Sequence, residues 1–331
     1  MLTVALQPEN RLARRLLTLL IVLLGMAACD ALAQGVRPLR LVVPFGPGAP
    51  DTIARLLAQQ MNAQTGQSVV VDNRLGANGI IGSDLVAKAA PDGNTLLVVS
   101  ASLVVNPAIY RSLPFDPLRD FAPITNLCAQ QAFVLTLNPT VPALNAREFI
   151  ALAKRPESEF AYGSPGIGNT IHLAGALFNS VAALHMTHVP YKGGGPATAA
   201  LLSGEVQVMM SNELLVLPYH RSGRLRPIGV TGERRLASLP DVPTLAEQGV
   251  AGMDIDAGWF GLFAPVGTPR DTIEKLHAEV IKALGDPVVK GRLREQGFEV
   301  VGNRPEAFRS YLDAQLKLYA NMVRVAGVIP E

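Results

Sequence analysis

The chain has 331 residues, a formal net charge of +2 and 5% aromatic residues. Its charges form neither a basic stripe for nucleic acid nor a polybasic patch for an anionic membrane surface, so both partners are excluded. The length exceeds what a single hydrophobic core usually supports, and two domains are therefore expected.

An export signal is predicted at the N-terminus. The basic segment RLARR at 11–15 precedes LLTLLIVLLGMAA, an uncharged apolar run of about a dozen residues that is short for a membrane span. The small-x-small pattern Ala-Leu-Ala then predicts cleavage after Ala33, which would leave Gln34 as the first residue. Two alternatives are a membrane anchor formed by the same run and lipidation of Cys29.

Cleavage leaves a nearly neutral chain with one cysteine. Three Arg and two acidic residues leave with the signal, so the formal charge falls from +2 to +1. Cys128 alone cannot form an internal disulfide, and it lacks the spacing of a metal site. We interpret Cys128 as a small buried hydrophobic residue, with a reactive thiol as the alternative.

A strand, loop and helix unit recurs in the first part of the mature chain. LRLVVPF predicts a strand, and the helix after it carries Ile53, Leu56, Leu57 and Met61 on one face and ends at Gly66. SVVVDN, a Gly-rich turn, GSDLVAKAA and NTLLVVS continue the pattern. Short apolar strands that alternate with amphipathic helices predict a mostly parallel sheet covered on both faces.

A second series of the same kind begins at Ala146. It contains EFIALAK, FAYGSPGIG, a helix from Asn169, MTHVPYKGGG, a helix that stops at Gly204, and VQVMM. The two series predict two lobes. FAPITNLCAQQAFVLTLNP connects them, AGWFGLFAP returns the chain to the first lobe, and three helices follow Pro269.

The first loop that we single out is Gly46-Pro47-Gly48-Ala49-Pro50, between a strand and a helix start. Helix N-termini present unpaired N–H groups to anions. The loop lacks the Lys of a phosphate-binding P-loop, so a carboxylate held by the amides of Gly48, Ala49, Asp51 and Thr52 fits better than a phosphate. The alternative is a tight turn in which Asp51 only caps its helix.

A similar loop, Tyr162 to Thr170, precedes a helix in the second lobe. In open α/β sheets ligands bind beyond the carboxyl ends of the strands, where both loops would lie. Ser164 could act as a nucleophile, but GSPGIG departs from the GxSxG elbow at Pro165 and Ile167. The dinucleotide pattern GxGxxG also fails, because its last position is Ile171. We therefore predict a binding protein with no enzymatic activity and no cofactor.

The remaining candidate side chains have two interpretations each. His172 lies in the first helical turn after the second loop, where it either reaches a ligand or packs. His185 and His188 are three apart in a predicted strand and would face opposite sides, so no metal site is predicted. Tyr191 packs at the lobe edge or contacts ligand, and Trp259 packs at the hinge or forms part of the cleft wall.

The order of these motifs resembles the Bug family, the extracytoplasmic receptors of tripartite tricarboxylate transporters. The resemblance rests on LRLVVPFGPGAPDTIAR, VVVDNRLGANGIIGSDLVAKAAPDGNTLL, NPAIYRSLPFDPLRDFAPIT, YGSPGIGNTIHLAG, HVPYKGGGPA, DVPTLAEQG and GWFGLFAPVGTP. The resemblance runs from about Arg37 to about Gly327. The chain departs from the family at Ala49-Pro50, where members commonly have Gly followed by Ser or Thr.

The resemblance implies an α/β, two-lobed periplasmic binding protein fold of type II-like organisation. Each lobe is then a mostly parallel sheet flanked by helices, with the ligand in the cleft between lobes. We place the signal peptide at 1–33, the first lobe at 34–136 and 257–331, and the second lobe at 137–256. The expected protein is a periplasmic monomer that delivers a small carboxylate to membrane permease subunits.

The resemblance also implies a ligand site made of both loops and the end of the VMM strand. The predicted ligand-binding residues are Gly46, Gly48, Ala49, Asp51, Thr52, Ser164, Gly166, Ile167, Gly168, Asn169, Thr170, His172, Tyr191, Ser211 and Asn212. An alternative with the same fold is a receptor that presents its ligand to a membrane signalling sensor.

Overall fold

Two sheets, each flanked by helices, organise the chain in the computed structural model, which describes residues 37–46 and 48–329. The predicted signal peptide at 1–33, with Cys29, lies outside the described residues. The two-lobed α/β architecture predicted from the sequence is confirmed.

The first sheet has six strands. They are β1 (Leu39–Val43), β2 (Val69–Asn73), β3 (Thr95–Ser100), β4 (Phe121–Gln130), β10 (Gly258–Pro265) and β11 (Glu299–Val300). Their order across the sheet is β11-β4-β10-β3-β1-β2. Apolar residues fill both faces of the central strands, so these strands are buried from both sides.

The second sheet has five strands, in the order β7-β6-β8-β5-β9. They are β5 (Phe133–Leu137), β6 (Ala161–Ser164), β7 (Thr187–Pro190), β8 (Val208–Asn212) and β9 (Arg226–Val230).

Both sheets are mixed, which corrects the prediction that they are mostly parallel. β1 pairs in parallel with β2 and β3, and β6 pairs in parallel with β7 and β8. The strands next to the lobe crossings run the other way: β10 is antiparallel to β3 and β4, and β5 is antiparallel to β8 and β9. β5 and β10 each follow a crossing, so each enters its sheet from the cleft side. They therefore run opposite to the strands that end at the cleft.

Ten α-helices cover the sheets in the described part of the chain. They are α1 (Ala49–Thr65), α2 (Ile80–Ala87), α3 (Ser102–Ile109), α4 (Ala146–Ala153), α5 (Thr170–Val181), α6 (Gly194–Ser203), α7 (Glu213–Arg221), α8 (Arg270–Gly285), α9 (Pro287–Glu295) and α10 (Pro305–Val325). As predicted, α1 buries Ile53, Leu57 and Met61 and ends at Gly66, which adopts the left-handed conformation.

The first crossing between lobes lies at residues 131–132, before the predicted boundary at 136. The segment FAPITNLCAQQAFVLTLNP forms two strands, β4 in the first sheet and β5 in the second. The apolar pattern runs through both strands, because each is buried in its own lobe, and it therefore gave no sign of the break. Cys128 is buried in β4 as predicted, and burial raises the pKa of its thiol.

The two crossings run side by side. Ala257 N–H donates to the carbonyl oxygen of Gln130 at 3.1 Å. Thr231 Oγ1 donates to the carbonyl oxygen of Ile255 at 2.7 Å and accepts from Phe133 N–H at 2.8 Å. These bonds satisfy backbone groups that leave one sheet for the other, and they align the segments that a hinge motion would bend.

Helix α10 packs across both lobes. It contacts α3 and β4 of the first lobe and α5 of the second. Phe308, Leu312 and Met322 of α10 belong to one buried cluster that also holds side chains from both sheets. Tyr311 Oη donates to Asp256 Oδ2 at 2.5 Å, which fastens the helix to the return crossing.

Truncation of Phe308 tests this shared core. Phe308 is fully buried, and its ring meets Trp259 edge to face with centroids 5.6 Å apart. We expect Phe308→Ala to lower the free energy of unfolding by about 3–5 kcal/mol, because it leaves a cavity between helix and sheet. Lys317→Ala, at an exposed position of the same helix, should change it by about 0.5 kcal/mol or less. Urea denaturation measures both; equal small effects would contradict the shared core.

Candidate functional site

A cavity of about 640 Å³ lies between the lobes. Its lining from the first lobe and the return crossing is Phe45, Gly48, Ala49, Pro50, Thr52, Asn78, Ser100, Ala101, Ser102, Val105, Gln130, Ala257, Gly258, Trp259, Phe260, Gln296 and Phe298. Its lining from the second lobe is Gly168, Asn169, Thr170, Asn212 and Leu215. The cavity lies beyond the carboxyl ends of strands in both lobes, where ligands bind in open α/β sheets.

The first predicted loop brings the N-terminus of α1 to this cavity. Gly48 is the N-cap, and its carbonyl oxygen accepts from Thr52 N–H at 2.9 Å and from Thr52 Oγ1 at 3.0 Å. Pro50 has no N–H to offer. The amide of Thr52 is therefore occupied, and the amides of Gly48 and Ala49 are the donors that this turn can present to the cavity.

Asp51 does not line the cavity, although it was predicted to contact ligand. Its Oδ2 accepts from Arg55 Nε at 2.8 Å and its Oδ1 accepts from Asn73 Nδ2 at 2.8 Å. The hydrogen bond from Arg55 lowers the pKa of Asp51. Asn73 Nδ2 also donates to the carbonyl oxygen of Phe45 at 2.9 Å. Asp51 thus connects α1 to Asn73 of β2, and these hydrogen bonds hold the loop in position.

The second predicted loop brings the N-terminus of α5 to the cavity. Asn169 is the N-cap, and its Oδ1 accepts from Ile171 N–H at 2.9 Å. Gly168 has φ +74°, a conformation that glycine adopts without steric cost. The loop therefore brings Gly168 and Thr170 to the cavity wall, and Thr170, as the first residue of α5, has an amide without an intrahelical partner.

Stacked rings support this loop from within the second lobe. The rings of His172 and His188 stack with centroids 3.9 Å apart, and Tyr162 stacks on His188 at 4.9 Å. His172 Nδ1 accepts from Gly168 N–H at 3.1 Å, so this nitrogen carries no proton. Burial, together with the neighbouring His188, lowers the pKa of His172 to about 4. A neutral His172 therefore holds Gly168 in place.

Ser164 also fastens the loop. Its Oγ lies 2.7 Å from His188 Nε2 and 3.1 Å from the carbonyl oxygen of Gly166, and it accepts from Gly166 N–H at 3.2 Å. The pair of Ser164 and His188 has the spacing of a nucleophile and its base. Ser164 is fully buried, however, and it does not line the cavity.

Two further helices begin at the cavity, and the sequence analysis did not predict either of them. Ser100 and Ser102 lie at the start of α3, with their hydroxyl oxygens 3.2 Å apart. Asn212 is the N-cap of α7, and its Oδ1 is buried without a partner among the described residues. The signal for α3 was available, because small residues follow the strand NTLLVVS as they follow the other site strands. Pro107 and Pro218 inside these helices obscured the helical pattern.

The electrostatic character of the cavity follows from its four helix N-termini. Each contributes partial positive charge from unpaired N–H groups and the helix dipole. Those of α1 and α3 belong to the first lobe, and those of α5 and α7 belong to the second. A small anion in the cavity would therefore interact favourably with both lobes.

The structure brings seven of the fifteen predicted site residues to the cavity. They are Gly48, Ala49, Thr52, Gly168, Asn169, Thr170 and Asn212. The other eight do not line it: Gly46, Asp51, Ser164, Gly166, Ile167, His172, Tyr191 and Ser211. Ile167 is 69% exposed. Tyr191 Oη donates to Glu205 Oε1 at 2.8 Å and takes no part in the cavity wall. The binding role of the first group stays a prediction.

Trp259 combines its two predicted interpretations. It packs against Phe263, Phe308 and Tyr311, and it also lines the cavity. The rest of the aromatic wall, Phe45, Phe260 and Phe298, was not predicted. Phe298 comes from the segment after α9, far along the chain, and no local pattern connects it to the loops.

The described residues contain no group of three or more His, Cys, Asp or Glu side chains able to hold a metal ion. His185 is exposed whereas His188 is half-buried against Ser164. Within the described range, no helix is both long and apolar enough to cross a membrane.

The two-lobed fold with a cavity at the crossings is that of periplasmic solute-binding proteins. Residues 53–327 match the model of the tripartite tricarboxylate transporter family receptors, and the chain belongs to this family. The resemblance to Bug proteins is thereby confirmed.

Relatives and solved structures support this assignment. The chain is 35% identical to Protein BugT of Bordetella pertussis over 294 residues, which cover 88% of this chain and 90% of BugT. It is similar to the structure of R. palustris Rpa4515 with adipate, at 32% identity and a TM-score of 0.76, over 90% of this chain and 100% of that one. The chain is also similar to the structure of MatC (Rpa3494) from Rhodopseudomonas palustris with bound malate, at 31% identity and a TM-score of 0.72, over 87% of this chain and 99% of that one.

The neutral His172 makes stability depend on pH. The folded chain keeps His172 unprotonated down to about pH 4, whereas the unfolded chain protonates it near the ordinary value of 6.5. We therefore expect the free energy of unfolding to fall as the pH drops from about 6.5 towards 4.

His172→Asn should flatten this dependence, because Asn offers an uncharged acceptor to Gly168 N–H. His220→Asn, at an exposed position, should leave it intact. Denaturant titrations at several pH values measure the slope. A slope in His172→Asn equal to that of the wild type would show that His172 is not held neutral.

Proposed function

We propose that this protein captures a small carboxylate-bearing ligand in the cleft between its lobes and delivers it to the permease subunits of a tripartite transporter. The observation that carries the proposal is the convergence of four helix N-termini, two from each lobe, on one cavity. Unpaired amides at helix N-termini bind carboxylates. The adipate and malate held by two similar proteins support a carboxylate as the ligand.

The ligand carboxylate is assigned to the space between the starts of α1 and α5. The amides of Gly48 and Ala49 and the amide and hydroxyl of Thr170 are the donors in our proposal. Hydrogen bonds to a charged acceptor contribute more than neutral ones, about 1.5–3 kcal/mol each. A ligand that touches both lobes binds the closed form better, so binding should shift the population towards closure.

Delivery to a permease implies that the protein works outside the cytoplasm as a receptor with no enzymatic activity. Membership in a family of transporter receptors supports this. We propose that the mature protein is a periplasmic monomer, in keeping with a ligand site that one chain completes by itself.

The export step gives a direct prediction. Cleavage after Ala33 should yield a protein that begins at Gln34, because ALAQ follows the apolar run. The intact mass of protein secreted to the periplasm measures this. A mass that corresponds to a diacylated N-terminal Cys29 would contradict it and show a lipoprotein.

A matched pair of glycine variants tests the site. Gly168 and Gly204 both adopt the left-handed conformation, with φ +74° and +82°, but only Gly168 lines the cavity. Alanine in this conformation costs about 1–2 kcal/mol. A Cβ at Gly168 would also lie 2.7 Å from Ile109 Cδ1, so Gly168→Ala should displace the loop and lower the affinity for carboxylates about 5- to 30-fold.

A Cβ at Gly204 would meet nothing closer than 3.7 Å, so Gly204→Ala should cost only the backbone strain and keep its affinity. Thermal shift against mono-, di- and tricarboxylates identifies ligands, and calorimetry then compares the variants. Unchanged affinity in Gly168→Ala would place the carboxylate elsewhere. A wild-type protein that no carboxylate stabilises would overturn the proposed function.

A further inference from the structure

The charge of the cavity wall restricts what the cavity accepts. Among the described residues that line it, none is Asp, Glu, Lys, Arg or His. The lining side chains therefore add no charge to that of the helix N-termini, each equivalent to about half an elementary charge at most. The starts of α1 and α5 hold one carboxylate in the proposed function. The start of α3 already donates Ser102 N–H to Ser100 Oγ at 3.3 Å, and the first turn of α7 carries the acidic Glu213, which offsets its dipole. No side-chain cation lies on the described wall to pair with a second carboxylate.

A second ionised group on the ligand would be poorly compensated. Removing an ion from water without a partner costs far more than burying an apolar group. The adipate in the similar R. palustris structure has a carboxylate at each end. The described wall of this cavity offers the far end of such a ligand aromatic rings and neutral polar groups instead.

Aromatic side chains form the wall that would face the body of the ligand. Phe45, Trp259, Phe260 and Phe298 all line the cavity. Phe260 and Phe298 already meet edge to face, with centroids 5.3 Å apart and planes at 80°. Aromatic rings prefer such offset or edge-to-face contacts with further rings, so the wall favours a flat aromatic body.

Two buried polar atoms at this wall have no partner among the described residues. Trp259 is 1% exposed and lines the cavity, and its Nε1 donates to no described residue. Asn212 Oδ1 is likewise buried and unpartnered. Both atoms are closed to solvent in this conformation, and buried polar groups are nearly always hydrogen-bonded, so each gains a partner when closure on the ligand brings a polar substituent against it. A hydroxyl or amide both accepts and donates, whereas an ionised carboxylate only accepts and would be repelled by Asn212 Oδ1.

We propose that the ligand is a monocarboxylate whose body is an aromatic ring with an uncharged hydroxyl or amide substituent. This inference rests on the proposed function and narrows it to one class of acid. The carboxylate lies at the helix N-termini, the ring lies against the Phe and Trp wall, and the substituent pairs with Trp259 Nε1 or Asn212 Oδ1. Trp259 is the specificity-determining residue for that substituent.

Calorimetry of the wild-type protein with aromatic and aliphatic acids tests the class. The probes are benzoate, the hydroxybenzoates, terephthalate and adipate. We expect the best hydroxybenzoate to bind about 2- to 12-fold more tightly than benzoate, through one added hydrogen bond. Terephthalate, which adds a second carboxylate to the same ring, should bind at least about tenfold more weakly than benzoate, as expected for an unpaired buried charge.

Variants at Gln296, a half-buried residue of the wall, provide the matched comparison. Gln296→Lys supplies the missing cation and should improve terephthalate binding relative to benzoate. Gln296→Met has a similar length and no charge, and it should leave the ratio of the two affinities as in the wild type. Trp259→Phe should abolish the advantage of hydroxybenzoate over benzoate, while the Gln296 variants keep the test valid if Trp259→Phe fails to fold.

Three outcomes separate this inference from the proposed function. If aromatic monocarboxylates bind best and the variants change the affinities as described, the inference and the proposed function are both supported. Adipate or terephthalate binding more tightly than every monocarboxylate tested would overturn the inference and leave the proposed function standing. If thermal shift finds no stabilisation by any mono-, di- or tricarboxylate, both are overturned.

Discussion

The convergence of helix N-termini at the crossings is the constraint on which the rest of the site depends. Four helices begin beside one cavity, at the ends of β1, β3, β6 and β8. Unpaired amides and helix dipoles at one point repel each other unless an anion or water satisfies them. The surrounding bonds hold the helix starts in place: Asp51 to Asn73 and Arg55 on one side, His172 to Gly168 on the other.

The lobes that carry these helices are separate sheets with a common interior. Side chains from both sheets and from α10 form one buried cluster, and the crossings are hydrogen-bonded to each other. Trp259 connects this interior with the cavity, because it packs on Phe308 and also forms part of the wall. A ligand that changes the contacts of Trp259 in the cavity therefore also changes the packing of the return crossing and α10. A hinge motion requires such a connection between the cavity and the crossing.

The fold was largely predictable, and the site was predictable in part. Apolar periodicity and the small residues at Gly48 and Gly168 located the loops at the ends of β1 and β6, because that signal is local. Asp51 and His172 do not line the cavity, and the sequence left both interpretations of each open, since loop composition does not tell whether a polar side chain points to ligand or back to Asn73 or Gly168. The aromatic wall was missed because only the tertiary fold brings Phe45 and Phe298 to the same cavity.

The most direct measurement is a crystal structure of the protein with a tightly bound carboxylate. The account predicts carboxylate oxygens within about 3 Å of amide nitrogens at the starts of α1 and α5, among them Ala49 and Thr170. It also predicts the body of the ligand against Trp259. A carboxylate found against the aromatic wall, with the helix N-termini contacting only water, would contradict the central claim that converging helix starts hold the anion.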